Sequence, residues 1–153
     1  MPSLKLQELL RGARVRAGFA LKAKGPGEAA TEPSRQARLA KSGLTPAAKA
    51  FRIAGAASED PRNELVLAVV PSDLDVEQVT SDVRFFLGGL EGASADALEH
   101  SVVPFPSQEV DPYRGLAPHL RIASTRARAL HAMASGHARV VVASAVALLP
   151  CVS

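Results

Sequence analysis

The stretch of this chain with the clearest chemical potential is Gly43-Leu44-Thr45-Pro46-Ala47-Ala48-Lys49-Ala50. A loop that cradles nucleotide phosphates reads G-x-x-x-x-G-K-[ST], set between a strand and a helix. Gly43 and Lys49 fall in that register, but Ala48 stands where the second glycine belongs and Ala50 where the hydroxyl belongs. Both changes matter. A Cβ restricts the backbone and keeps phosphate away from its N–H groups, and alanine offers no oxygen to Mg²⁺. Pro46 also removes an N–H from the cradle. The pattern keeps the outline of a triphosphate site without its chemistry.

Other reactive side chains are scattered. His100, His119, His131 and His137 show no ligand pair at helical spacing, so no metal site is expected. Glu109 and Asp111 lie two apart in a proline-rich stretch with no nucleophile tied to them, which reads as loop solvation rather than acid–base chemistry. Arg121, Arg126, Arg128 and Arg139 can meet phosphates, solvent or another domain. Cys151 is the one cysteine, which excludes a disulfide framework and a multi-cysteine zinc site.

The elements that must position these residues alternate in type. Residues 1–24 have apolar residues at helical spacing from Leu4 to Ala17, weakened by Gly12 and Gly18. Gly25-Pro26-Gly27 breaks that helix, and 28–34 reads as a linker. Residues 37–42 alternate weakly and suggest a strand leading into Gly43. Pro46 suits a helix start, and Ala47–Ala57 should be helical. Leu65–Val70 is an apolar run of strand length, expected to be buried on both faces of a parallel sheet. Ser72 with Asp75 forms a capping-box pattern, followed by Val76, Val79, Val83 and Phe86 on one helical face, with Gly88-Gly89 as its end. His100–Val103 reads as a short strand. Residues 104–118 hold four prolines and read as irregular. A helix from Pro118 to Ala134 is expected to turn Leu120, Ala123, Ala127, Leu130 and Ala134 inward and Arg121, Thr125 and Arg128 outward. Arg139–Ala143 is a further buried strand, with a short helix over 144–149. Strands separated by helices imply right-handed βαβ units.

At 153 residues and 47% hydrophobic composition, the chain can bury one core, with a short arm beside it. No apolar run approaches the roughly 18 residues of a membrane span, and residues 1–24 lack a signal-type apolar stretch, so a cytoplasmic protein without a membrane partner is expected. The net charge of +3 conceals an asymmetry: residues 1–52 carry +8, 53–112 carry −10 and 113–153 carry +5. Such blocks either neutralise one another across a folded surface or mark an anionic partner, with a basic DNA-binding module as one reading.

Pro104-Phe105-Pro106-Ser107-Gln108-Glu109-Val110-Asp111-Pro112-Tyr113 is followed by Pro118-His119, Ile122, Arg126 and Leu130. This P-x-x-E-x-x-P-Y…P-H-x-x-I-x-x-x-R-x-x-x-L spacing resembles the N-terminal, UvrB-like region of bacterial transcription-repair coupling factors. There a similar segment joins a strand to a long helix. In the same resemblance Gly43, Thr45, Ala48, Lys49 and Ala50 correspond to a vestigial phosphate loop. Residues 65–73 and 82–86 correspond to the next strand, turn and helix, and 140–149 to the strand and short helix before the UvrA-binding insertion. The likeness spans residues 37–150.

The resemblance implies an α/β fold: a RecA-like, P-loop-NTPase-like parallel sheet flanked by helices, as an incomplete domain. Residues 1–34 form an N-terminal helical arm and Gly/Pro linker, and 35–153 a UvrB-like subdomain with a degenerate phosphate loop. It further implies a non-catalytic scaffold in DNA repair, recruiting UvrA to stalled RNA polymerase through other domains of the same protein. ATP and magnesium would belong to the parent motor only, and no cofactor, catalytic residue or metal ligand to this chain. Tyr113 is the one tyrosine, so the tyrosine-rich damage-probing hairpin of UvrB is not expected, and any contact with DNA should be weak. The rival reading is a divergent P-loop ATPase or DNA helicase fragment with residual nucleotide binding, in which Lys49 would be essential.

Overall fold

The computed structural model describes residues 4–16, 43–59, 64–108 and 119–149, with side chains of the first segment described to residue 13. The elements in order are α1 (Leu4–Arg16), α2 (Pro46–Glu59), β1 (Val66–Val70), α3 (Asp73–Glu91), α4 (Ala95–Ser101), β2 (Val102–Phe105), α5 (Leu120–Ala134) and β3 (Val140–Ser144), followed by a 3-10 turn at Val146–Leu148. The expected strand at 37–42, the linker at 25–34 and the continuation of the first helix beyond residue 16 lie outside the described residues.

The strands form a parallel sheet in the order β1-β3-β2, so the last strand in sequence is the central one. The expected α/β character with a parallel sheet flanked by helices is present. Successive strand residues point to opposite faces, and β3 separates the core accordingly. Val140 and Val142 pack with Ala68, Val102, α2 and α3. Val141 and Ala143 pack with Val103, Phe105 and the α5 residues Ala129 and Ala132.

Local chemistry fixes several helix ends. Ser72 caps α3: its hydroxyl accepts from Asp75 N–H at 3.3 Å, and the Asp75 carboxylate accepts from Ser72 N–H at 3.2 Å. Asp73 and Asp75 also place negative charge at the positive end of the helix dipole. The expected apolar face is present, with Val76, Val83, Leu87 and Leu90 buried. Its edge-on ring pair, Phe51 with Phe86 at 5.3 Å, ties α3 to α2.

The expected end of α3 at Gly88-Gly89 is wrong. The helix runs on to Glu91 and closes at Gly92, whose φ of 73° and N–H to Gly88 O make a left-handed cap. Gly88 and Gly89 serve packing instead. A Cβ on Gly88 would meet Leu98 of α4, and one on Gly89 would meet Leu10 of α1.

Three further expectations are corrected. His100 and Ser101 belong to α4, capped by the Ser94 hydroxyl at Ala97 N–H, so the strand starts at Val102. Pro104 is not in irregular chain but inside β2, which tolerates it because β2 is an edge strand. The inward face of α5 is rotated: Ala129 and Ala132 are buried, whereas Leu120 is 80% and Leu130 52% exposed. Alanines let the helix approach the sheet closely, and Arg126, not a leucine, reaches across at its start.

β1 departs most from expectation. Ala68 is buried and Val66 and Val70 are partly covered, but Leu67 and Val69 are 52% and 54% exposed. Helix α5 lies over β2, so the α5 side of β1 carries no helix among the described residues.

Thr80 sits in α3 with its side chain 3% exposed, and its hydroxyl has no hydrogen-bond partner. Thr80→Val keeps the shape and removes that desolvated group. It should raise unfolding free energy by about 1 kcal/mol, measured by urea denaturation; a destabilised Val variant would contradict this.

Candidate functional site

Two places in the fold could host chemistry: the Gly43–Ala50 segment and the carboxyl ends of the strands. At the first, Gly43 is exposed with φ 75°. Helix α2 begins at Pro46, three residues before Lys49. Thr45 acts as its cap: the hydroxyl accepts from Ala48 N–H at 3.3 Å and the carbonyl from Lys49 N–H at 3.0 Å. The N–H groups of Ala48 and Lys49 are thus already used, and Pro46 has none. A Thr-Pro start makes residues 46–50 the first turn of the helix. Lys49 is exposed, while Ala50 is fully buried with Ala54 and Ala57 on the stripe facing α3. A hydroxyl at position 50 would face the core, not a metal.

The second place is where ligands commonly bind in open α/β sheets, beyond the carboxyl ends of the strands. Each strand here is followed by a polar side chain that meets the others. Asp73, at the start of α3, accepts from Ser107 N–H at 2.8 Å and from the Ser107 hydroxyl. The Ser144 hydroxyl, at the end of β3, lies near enough to Asp73 to favour its charged form and accepts from Ala147 N–H at 3.2 Å. Ser107 and Ser144 are buried. Arg126 adds its charge to Asp73. Its guanidinium donates to Pro106 O at 2.6 Å and lies over the Phe105 ring at 4.0 Å.

Burial alone would push the Asp73 carboxyl up. The Ser107 and Ser144 hydroxyls, the Ser107 N–H and the Arg126 charge outweigh it and hold the pKa below the ordinary value. A carboxylate so stabilised is a poor general base at neutral pH. Ser107 gives its hydroxyl proton to it, and Ser144 lies beside it. The cluster works as a clasp on the strand ends.

The sequence-derived residues are distributed unevenly. Pro104 and Arg126 join the clasp region, at β2 and α5. His119 caps α5, its Nδ1 accepting from Arg121 N–H at 3.2 Å. Glu109, Pro112, Tyr113 and Pro118 lie outside the described residues. Asp73, Ser107 and Ser144 escaped notice in the sequence. The signal that could have found them is a short polar residue directly after each apolar strand run. Arg139 illustrates how the charge blocks meet: it pairs with Glu91 through two bonds, at 2.6 and 2.7 Å, and donates to Ala57 O at 2.7 Å. The Glu91 hydrogen bond keeps its pKa raised against the effect of burial.

No known family model matches the chain, and no curated protein or solved structure matches it. Among the described residues no group of three or more His, Cys, Asp or Glu could hold a metal ion, and no helix is long and apolar enough to cross a membrane.

The Asp73 carboxyl gives a signed pH dependence. A depressed native pKa stabilises the fold above the unfolded carboxyl value of about 3.9, and that contribution is lost as pH falls through the native value. Asp73→Asn should lose about 1–2 kcal/mol at pH 7. The gap to the parent protein should shrink as both are titrated to about pH 3. Urea denaturation at both pH values checks this; a gap independent of pH would refute it.

Proposed function

We propose that this chain is a non-catalytic, UvrB-like N-terminal subdomain of a bacterial transcription-repair coupling factor. It would act as a scaffold that packs against other domains of its own protein and helps bring UvrA to stalled RNA polymerase. On this reading the sheet is part of a RecA-like domain. What supports the proposal is a contact between the two ends of the signature spacing: Arg126 of α5 folds back on Phe105 and Pro106 at the end of β2.

Two observations favour scaffold over motor. The helix start at Thr45-Pro46 uses the Ala48 and Lys49 N–H groups, and Ala50 is a packing residue. The exposed Leu67 and Val69 on β1 suit a sheet that continues into other parts of a larger protein. ATP, magnesium and translocation would then reside in a separate motor, and contact between this piece and DNA would be weak.

Calorimetric titration with Mg-ATP should give no binding, and Lys49→Ala should change nothing. Saturable micromolar binding lost in Lys49→Ala would replace the scaffold with a nucleotide-binding fragment. The genomic reading frame after Ser153 should encode a polymerase-binding domain and a double motor; a frame with neither would end the assignment. Leu67→Lys with Val69→Lys should leave the circular dichroism spectrum intact and reduce binding of a hydrophobic dye. Collapse of the fold would mean that this face is covered.

A further inference from the structure

The outer edge of β2 borders a groove of about 650 Å³, walled by α5 on one side and by α4 and Arg84 of α3 on the other. That volume is in the range of small-ligand sites. The edge cannot take an added strand. Val102 N–H is given to Leu98 O, Val102 O receives Arg84 Nε at 3.1 Å and Nη2 at 2.8 Å, and Pro104 has no N–H.

The groove has an apolar floor and a basic rim. Val103, Pro104, Ala129 and Ala132 form the floor. Among the described residues Arg84, Arg128, His100, His131 and His137 stand around it against one carboxylate, Glu99. Arg84 is held in place by the Val102 bonds and a further bond to Glu99 O at 3.3 Å. Burial lowers its pKa; Glu99 opposes that and Arg128 adds to it, so the two guanidiniums lie within electrostatic reach. Among the described residues neither is paired with a carboxylate side chain in an ion pair.

The imidazoles are oriented by their other nitrogens. A carbonyl only accepts, so His100 Nδ1 donates to Asp96 O at 2.9 Å. Ser135 gives its hydroxyl proton to His131 O at 2.8 Å, so its oxygen accepts from His137 Nδ1 at 2.7 Å. In both rings these bonds leave Nε2 unused. These histidines form no metal-holding group.

We propose that this groove binds a small phosphomonoester carrying an apolar body. The body rests on Val103, Pro104 and the two alanines, and the phosphate is held by Arg84 and Arg128 with the rim histidines beside them. Apart from the histidines no aromatic side chain lines the groove among the described residues, where it offers no stacking platform of the kind a single-strand nucleic-acid site uses. The inference is independent of the scaffold reading, since it uses neither the Gly43–Ala50 segment nor the strand-end clasp.

The test is calorimetry on the full chain with phenyl phosphate, phenol and inorganic phosphate, above the second phosphate ionisation near about pH 6. Phenyl phosphate should bind at least about tenfold more tightly than either fragment. Arg128→Gln and His131→Gln, both at exposed positions, should each weaken binding about fivefold or more. Three results would overturn the proposal: no saturable binding; affinity unchanged in both variants; or tighter, steeply salt-dependent binding of a single-stranded oligonucleotide, which would assign an extended phosphate track instead.

Discussion

Strand β3 is the interaction on which the rest of the molecule depends, since it pairs in parallel with β1 along one edge and β2 along the other and is buried over its whole length. It is the last strand in sequence, so the sheet cannot close until residues 140–144 arrive between two strands already joined by α3 and α4. Both halves of the core are then defined by its alternating side chains. Val140 and Val142 face α2 and α3, and Val141 and Ala143 face α5. A parallel arrangement also brings the three strand ends to one side, which allows Asp73, Ser107 and Ser144 to meet.

That meeting explains why a polar cluster occupies the position where open α/β sheets usually hold a ligand. The carboxylate of Asp73 accepts two bonds from Ser107, beyond the end of β2, so it ties two strand ends together. At the Gly43–Ala50 segment the Ala48 and Lys49 N–H groups are used in starting α2, and Ala50 is used in packing. On the proposed reading, architecture inherited from a nucleotide-binding fold has been redirected to holding domains together.

The two sheet edges are treated differently. β2 is sealed: Arg84 covers its outward carbonyl, α4 takes an N–H, and Pro104 lacks one. β1 presents exposed Leu67 and Val69 and no proline. A sealed edge beside an apolar floor suits the proposed small-ligand groove, whereas the apolar face of β1, which no described helix covers, suits a larger neighbour. The charge blocks of the sequence are also partly resolved in the fold. Arg139 from the basic end meets Glu91 from the acidic middle, and Arg126 meets Asp73, so part of the asymmetry is internal neutralisation.

What the sequence determined by itself was whatever short-range chemistry dictates. The Ser72–Asp75 cap, the Thr45-Pro46 helix start and the apolar runs of β1 and β3 are readable because a cap, a fixed φ or a continuous apolar run acts within a few residues. Tertiary structure decided what depends on neighbours distant in the chain. It chose which stripe of an alanine-rich α5 faces inward, because several stripes were apolar enough and Arg126 had a partner on only one side. It assigned Gly88 and Gly89 to packing rather than termination, because Leu98 and Leu10 approach them from other helices. It uncovered one side of β1, because α5 crosses over β2. It brought Asp73, Ser107 and Ser144 together from three separate strand ends, which no local pattern can encode, since hydrogen bonds between residues 34 or more positions apart exist only once the sheet has formed.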